Sequence, residues 1–394
     1  MFILLFSILP FLVCVFWIIT LIADYRNWHY RENIWLVVFL AITSVLYAAH
    51  FIFFNHRISW LPVSDVCYSF ANLAVYPLFY FYISHLSKHN PISTIHKAEM
   101  LAPALFCAVA IAVLYALMTP QQTTEFIHNF LYNNLTRSDD PIIRYQIIAH
   151  LAARIIFAFI VILSLYKSIQ SIKELNRIIK SNYANIEDKD TSPYLWLLCL
   201  MAGASIIGFL ANALGRYIFA NHESLLGIPS LIFSSILYGI GFLGFKMNFS
   251  IKDIINDDIV LAADNNDDIV LTTDNNDNTA IPKIREQIEA IMASEKLFLQ
   301  PNLKINDIAR IIGTNRNYIY QAINEQLGAS FNDYINKQRI DYAVQAMRQN
   351  PALSISVIAL QSGFTSQASF YRNFKKFVGC SPRSFIPSIG KEHS

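Results

Sequence analysis

The sequence predicts an all-α protein: a seven-helix transmembrane bundle followed by a soluble helical domain in which one helix–turn–helix pattern is written twice. Three observations predict it. Apolar runs of membrane-spanning length crowd residues 1–249. Charge is scarce overall, at 15%, against 54% hydrophobic residues, whereas soluble domains carry about 25% charged residues. Two segments near the C-terminus align with each other residue by residue. The organisation that follows is a transmembrane domain over 1–249, an acidic linker over 250–280 and a soluble domain over 281–394.

A helix needs about 20 consecutive apolar residues to cross a bilayer. Seven stretches meet this: Phe2–Ala23, Ile34–Phe54, Ser64–Leu86, Met100–Met118, Ile142–Tyr166, Tyr194–Phe219 and Leu225–Phe245. Lys and Arg collect on the cytoplasmic side of such spans. One alternating set of connections holds Arg26, Arg31, Lys88, Lys97, Lys167, Lys173, Arg177, Lys180 and Lys189; the other holds Arg57 and Arg137. This bias predicts a multi-pass protein of the inner (cytoplasmic) membrane with its N-terminus outside and everything after Phe245 in the cytoplasm. The first span lacks the basic leader of a cleaved signal peptide.

Polar residues within spans are costly and face a bundle interior or a cavity. Asp65, Ser69, Asn72 and Tyr76 share one face of the third span. Ser205, Asn212 and Arg216 share a face of the sixth, Arg144, His150 and Arg154 lie on the fifth, and His50 lies on the second. Two readings follow. Asp65 pairs with an arginine and holds helices together, or His50, Asp65, Asn72, Arg144, His150, Arg154, Asn212 and Arg216 line a pocket open to the outer side for a small anionic or polar ligand. The second reading rests on three arginines against one carboxylate.

Residues 256–277 contain NDDIVLAADN followed by NDDIVLTTDN. An EF-hand loop needs Gly at its sixth position and Glu at its twelfth; counted from Asp264 these are Ile269 and Asn275. The stretch therefore reads as a flexible acidic tether, one that transmits rotation poorly. Signalling across it would act through oligomerisation, with a homodimer as the simplest form, or through release of the soluble domain from the membrane face. The five cysteines show no metal-ligand spacing and no disulfide framework. No GxSxG, HExxH or phosphate-binding loop occurs, so neither an enzyme nor a metal or cofactor is expected.

The soluble domain carries 14 Lys/Arg against 8 Asp/Glu between Ile281 and Ser394, a net of +6. Its two copies run Asp307–Ile335 and Val357–Ile386. Ile308, Ala309 and Gly313 match Ile358, Ala359 and Gly363; beyond the turn Ile319, Ile323, Gly328, Ser330 and Tyr334 match Phe370, Phe374, Gly379, Ser381 and Phe385. In each copy a small residue admits close helix contact, a Gly ends the first helix, and Asn315 or Ser366 caps the second. That second helix buries residues at i and i+4. Its opposite face presents Arg316, Asn317, Tyr320, Gln321 and Asn324 in one copy, and Gln367, Ala368, Tyr371, Arg372 and Lys375 in the other. Such a stripe suits the donor and acceptor edges of the DNA major groove.

Residues 295–388 resemble the DNA-binding domain of AraC-type (AraC/XylS) regulators, through Ile358-Ala359, Gly363-Phe364, Ser366, Phe370, Arg372, Phe374-Lys375-Lys376, Gly379 and Ser381-Pro382. The resemblance implies two helix-turn-helix units joined by a long helix, about Phe331–Gln349, with reading helices at Asn315–Glu325 and Ser366–Phe377. It implies double-stranded DNA as partner. Arg316, Asn317, Tyr320, Gln321, Gln367, Tyr371 and Arg372 are then candidate DNA contacts, with Lys375 and Lys376; Ala368 stands where relatives often carry a polar residue. The whole chain then reads as a membrane-embedded one-component transcription regulator controlled by a signal sensed in the membrane domain. The alternatives are a transporter-like protein with a regulatory tail and a receptor whose tail binds another protein.

Overall fold

The computed structural model describes residues 2–23, 33–87, 92–185, 192–214, 223–246, 280–326, 328–350 and 352–391. Among these the chain is helical throughout, apart from turns and one isolated antiparallel bridge between Tyr183 and Lys304. The acidic repeat, with its weighed calcium site, lies outside the described residues, as do Arg216 and four of the basic residues used to orient the spans, Arg26, Arg31, Lys88 and Lys189.

Seven helices are long and apolar enough to cross a membrane. They are α1 (Phe2–Ala23), α2 (Asn33–Phe54), α3 (Leu61–Ser87), α4 (Thr94–Leu117), α6 (Pro141–Asn182), α7 (Ser192–Leu214) and α8 (Gly227–Lys246), with a short α5 (Pro120–Phe126) after α4. Their surfaces carry the apolar residues a bilayer requires: Ile19, Phe106, Ile155 and Phe159 are all well exposed. α3 is the exception. Most of it is buried, which explains why the most polar span sits at the centre, where neighbouring helices rather than lipid meet its side chains. α8 packs close to its neighbours through glycine: a Cβ at Gly241 would collide with Trp17, and one at Gly244 with Leu36.

The chain divides into two compact units. The first is Met1–Glu174 with Thr191–Lys252, and the second is Leu175–Asp190 with Asp253–Ser394. The fifth span thus departs from its expected end at Tyr166. α6 continues unbroken for 42 residues to Asn182, and its last turns belong to the second unit.

In the second unit, α9 (Ala280–Ser294) leads into α10 (Ile305–Ile312), α11 (Arg316–Gln321), α12 (Phe331–Gln349), α13 (Ile355–Gln361), α14 (Gln367–Val378) and α15 (Pro382–Lys391). Two cores form. The first gathers Ile308, Ala309, Ile319, Ile323, Phe331 and Ile335. The second gathers Ile340, Ala343, Met347, Ile358, Phe370 and Phe374. α12 supplies both, its N-terminal half facing one core and its C-terminal half the other. It spans Phe331–Gln349, as the resemblance implied.

Candidate DNA interface and the polar centre of the membrane helices

Each copy of the repeated pattern builds its reading helix by the same local means. α10 ends at Gly313, which adopts φ +74°, and the corresponding Gly363 adopts φ +83°. Only a residue without a Cβ takes this conformation at little cost. The next helix is then capped. The Asn315 side chain accepts from the Asn317 amide at 2.8 Å, and the Ser366 hydroxyl accepts from the Ser369 amide at 3.1 Å. The pattern recurs after each reading helix. Gly328 and Gly379 turn the chain with positive φ, and Ser330 and Ser381 accept from the amides of Asp333 and Ser384.

Burial sorts each reading helix into two faces. Ile319 and Ile323 are fully buried, as are Phe370 and Phe374. On the other face Asn317, Gln367, Arg372, Lys375 and Lys376 are exposed, and Arg316, Tyr320, Gln321 and Tyr371 are half-buried. Tyr320 and Tyr371 also pack against the cores, so their rings brace the helices while their outer parts stay on the presented face. Lys376, one of the candidate DNA contacts, has its Nζ 2.6 Å from Asp333 Oδ1, in an exposed ion pair that ties α14 to α12.

One residue escaped the sequence reading. Arg339 on α12 is 1% exposed and is the largest fully buried side chain among the described residues. Its Nε donates to Phe298 O at 2.6 Å, and Nη2 donates to Gln300 O at 2.6 Å and Pro301 O at 3.3 Å. Nη1 donates to Asn336 Oδ1 at 3.3 Å. The guanidinium also stacks over Phe364, 5.6 Å from the ring centroid. Burial lowers its pKa from the usual arginine range to about 10, still far above neutral, so the charge is held by carbonyl dipoles. The available signal was an Arg at a position where α12's heptad-like spacing calls for an apolar residue.

The membrane helices hold a second polar arrangement. Asp65 Oδ2 receives the Tyr115 hydroxyl at 3.0 Å and faces His150 Nε2 at 2.7 Å. His150 Nδ1 faces Gln146 O at 2.8 Å. Both ring nitrogens therefore lie within hydrogen-bond distance of an oxygen. This joins α3, α4 and α6. Asp65 thus has a histidine as ion-pair partner, where the helix-holding reading named an arginine. Beside it, the Gln146 amide is fully buried, and neither of its polar atoms has a partner among the described residues.

The expected arginine-lined pocket falls only partly on described residues. Arg144 is exposed and bonds to the Ser138 and Asp139 carbonyls at 3.4 and 3.3 Å. Arg154 lies with its guanidinium 5.7 Å from the Phe130 ring centroid. Asn212 is helical, and Arg216 falls outside the described residues. A cavity of about 120 Å³ lies elsewhere among these helices, lined by Tyr47, His50, Tyr68, Asn72, Tyr76 and Phe157 among others. His50 and Asn72 are the expected residues that reach it. No described Lys, Arg, Asp or Glu lines it. Among the described residues no group of His, Cys, Asp or Glu is arranged to hold a metal.

Comparison with known proteins bears on the second unit. Residues 308–387 match the family described as "Helix-turn-helix domain", and they form an AraC/XylS-type helix-turn-helix domain. The Msm operon regulatory protein of Streptococcus mutans is 33% identical over 88 residues, 22% of this chain and 31% of that protein. The melibiose operon regulatory protein of Escherichia coli K12 is 36% identical over 83 residues, 21% of this chain and 27% of its own length. An HTH-type transcriptional regulator of Staphylococcus aureus strain COL is 30% identical over 90 residues, 12% of its length. The chain thus spans less than a third of each of these relatives, which are named as regulators rather than enzymes. No solved structure matches.

Proposed function

We propose that the protein is a membrane-embedded transcription regulator: it reads promoter DNA with α11 and α14 under the control of a signal sensed by its membrane helices. The observation that carries this reading is the pair of capped helices, each presenting a polar stripe, on a chain with seven helices of membrane-spanning length. Arg316, Asn317, Tyr320 and Gln321 face one major-groove segment. Gln367, Tyr371, Arg372 and Lys375 face the next, about 10 bp away. The basic bias of the connections favours an inner-membrane protein with its N-terminus outside and the reading domain in the cytoplasm, where DNA is.

The cavity among α2, α3, α6, α7 and α8 is the better candidate for the sensed molecule than the arginines. Its volume suits a group near the size of benzene. Phenol, imidazole and amide groups on apolar walls favour an uncharged, mostly apolar molecule with one or two hydrogen-bonding groups. α8 runs unbroken through its glycines, unlike the interrupted helices typical of transporters. A homodimer would present two such reader pairs to a two-fold site.

The test is DNA binding by the full chain in lipid nanodiscs across a salt series, alongside mapping of bound genomic sites in cells. Several phosphate contacts predict a log–log salt slope of about −0.9 per contact. A flat salt response, or no enrichment near promoters, would overturn the reading.

A further inference from the structure

The end of α6 is built into the reading domain. Tyr183 and Ala184 are 4% and 1% exposed, and Ala184 belongs to the core of the first helix-turn-helix unit. Its amide donates to Leu303 O at 3.1 Å, and Tyr183 bridges Lys304, the residue before α10. The Ala184 carbonyl receives two side-chain amides from α12, Asn332 Nδ2 at 2.7 Å and Asn336 Nδ2 at 3.2 Å. Both asparagines are buried, at 6% and 3% exposure. Buried amides on one helix face are costly unless bonded; here both point at one carbonyl, so this part of α12 is shaped to receive Ala184.

The same tripeptide reaches the second helix-turn-helix unit by two routes. Asn185 Nδ2 donates to Thr365 Oγ1 at 2.6 Å, and Thr365 immediately precedes Ser366, the cap of α14. Asn336 also accepts from Arg339, which stacks on Phe364. Apart from α12, this segment is a link that touches both units at the residues where their reading helices are set.

We propose that Tyr183–Asn185 is a positioning clasp: docked, it fixes the separation of α11 and α14, and it gives α6, a single helix that also carries His150, a hold on how tightly two-segment DNA is read. This rests on the proposal that both helices read DNA. Reading two successive major-groove segments requires a fixed spacing of about 10 bp, so a brace across the readers acts on paired sites and leaves each single contact alone.

The experiment uses the full chain in nanodiscs and the duplex that the wild type selects from a random pool. That duplex is compared with a version carrying about 2 bp inserted between the half-sites, and with each half-site alone. Asn185→Ala removes a half-buried side chain and, with it, the Thr365 bond. It is expected to weaken the native duplex about two- to ten-fold, the worth of one hydrogen bond, to leave single half-sites unchanged, and to flatten the penalty for the insertion. Asn185→Cys with Thr365→Cys, once oxidised, is expected to tighten native spacing and steepen that penalty, and a reductant should reverse both. If neither variant changes the spacing penalty, the segment is packing alone and the clasp is overturned. If the wild type selects no duplex, DNA reading itself fails, an outcome distinct from the first that takes the clasp with it.

Discussion

A single guanidinium links the segment before α10 to the second helix-turn-helix unit. Arg339 satisfies three carbonyls of the segment before α10 and stacks on the second unit. Replacement by Met of similar length removes the guanidinium donor from all three, leaving Gln300 O with the Leu303 amide at 3.4 Å, at about 1–3 kcal/mol per unmade bond. Arg339→Met is expected to destabilise the second unit by about 3 kcal/mol, read as faster hydrogen exchange at α12 amides. Arg339→Lys should recover little, because one ammonium cannot span carbonyls that a forked guanidinium reaches. The pKa near 10 is depressed below the unfolded value. The charging cost is therefore constant below about pH 10 and falls only as pH rises beyond it, so this residue adds no pH dependence near neutrality. On the DNA-facing side, Arg372→Ala is expected to cost about 1–3 kcal/mol and relax preference at one base position, and Gln321→Ala to do so in the other segment. Lys376→Ala should weaken all sequences alike, and only slightly, since Asp333 already engages that charge. Competition binding against a mutated-site panel checks all three.

At the scale of elements, the two copies of the pattern use equivalent glycines under different constraints. Gly313 has open space around the position of a Cβ, whereas a Cβ at Gly363 would sit 2.6 Å from Leu299 O. Both have positive φ, so Ala costs about 1 kcal/mol at either from backbone strain alone. Gly363→Ala must also displace a backbone carbonyl. It is therefore expected to destabilise clearly more than Gly313→Ala, measured by thermal melting of the two variants side by side. The repeat spacing made both glycines legible as helix stops, because the left-handed turn is a local requirement. Their inequality was not legible, because Leu299 is 64 positions away in the chain. The same distinction separates the caps Asn315, Ser330, Ser366 and Ser381, readable from residue type, from Arg339, whose partners lie across the fold. In the membrane helices it separates the shared face of Asp65, Ser69, Asn72 and Tyr76 from the identity of Asp65's partner.

Across the whole molecule, orientation is the claim on which the regulatory reading depends. A reporter fused after Phe245 is expected to be active only in the cytoplasm, and one inserted between Thr119 and Pro141 only outside. A periplasm-active reporter working after Phe245 would place the reading domain where there is no DNA. The sequence by itself determined the all-α class, the seven apolar helices and the twice-written helix-turn-helix pattern. Hydropathy, helix caps and positive-φ glycines act within a few residues, and the period of a pattern survives in any context. Only the tertiary structure decided which polar groups meet. It set Asp65 against His150, opened a cavity that no described charged residue lines and buried Ala184 in the reading domain's core. Those outcomes depend on contacts between residues far apart in the chain, chosen by the need to satisfy every buried donor and acceptor at once. Residue order alone carries no record of that choice.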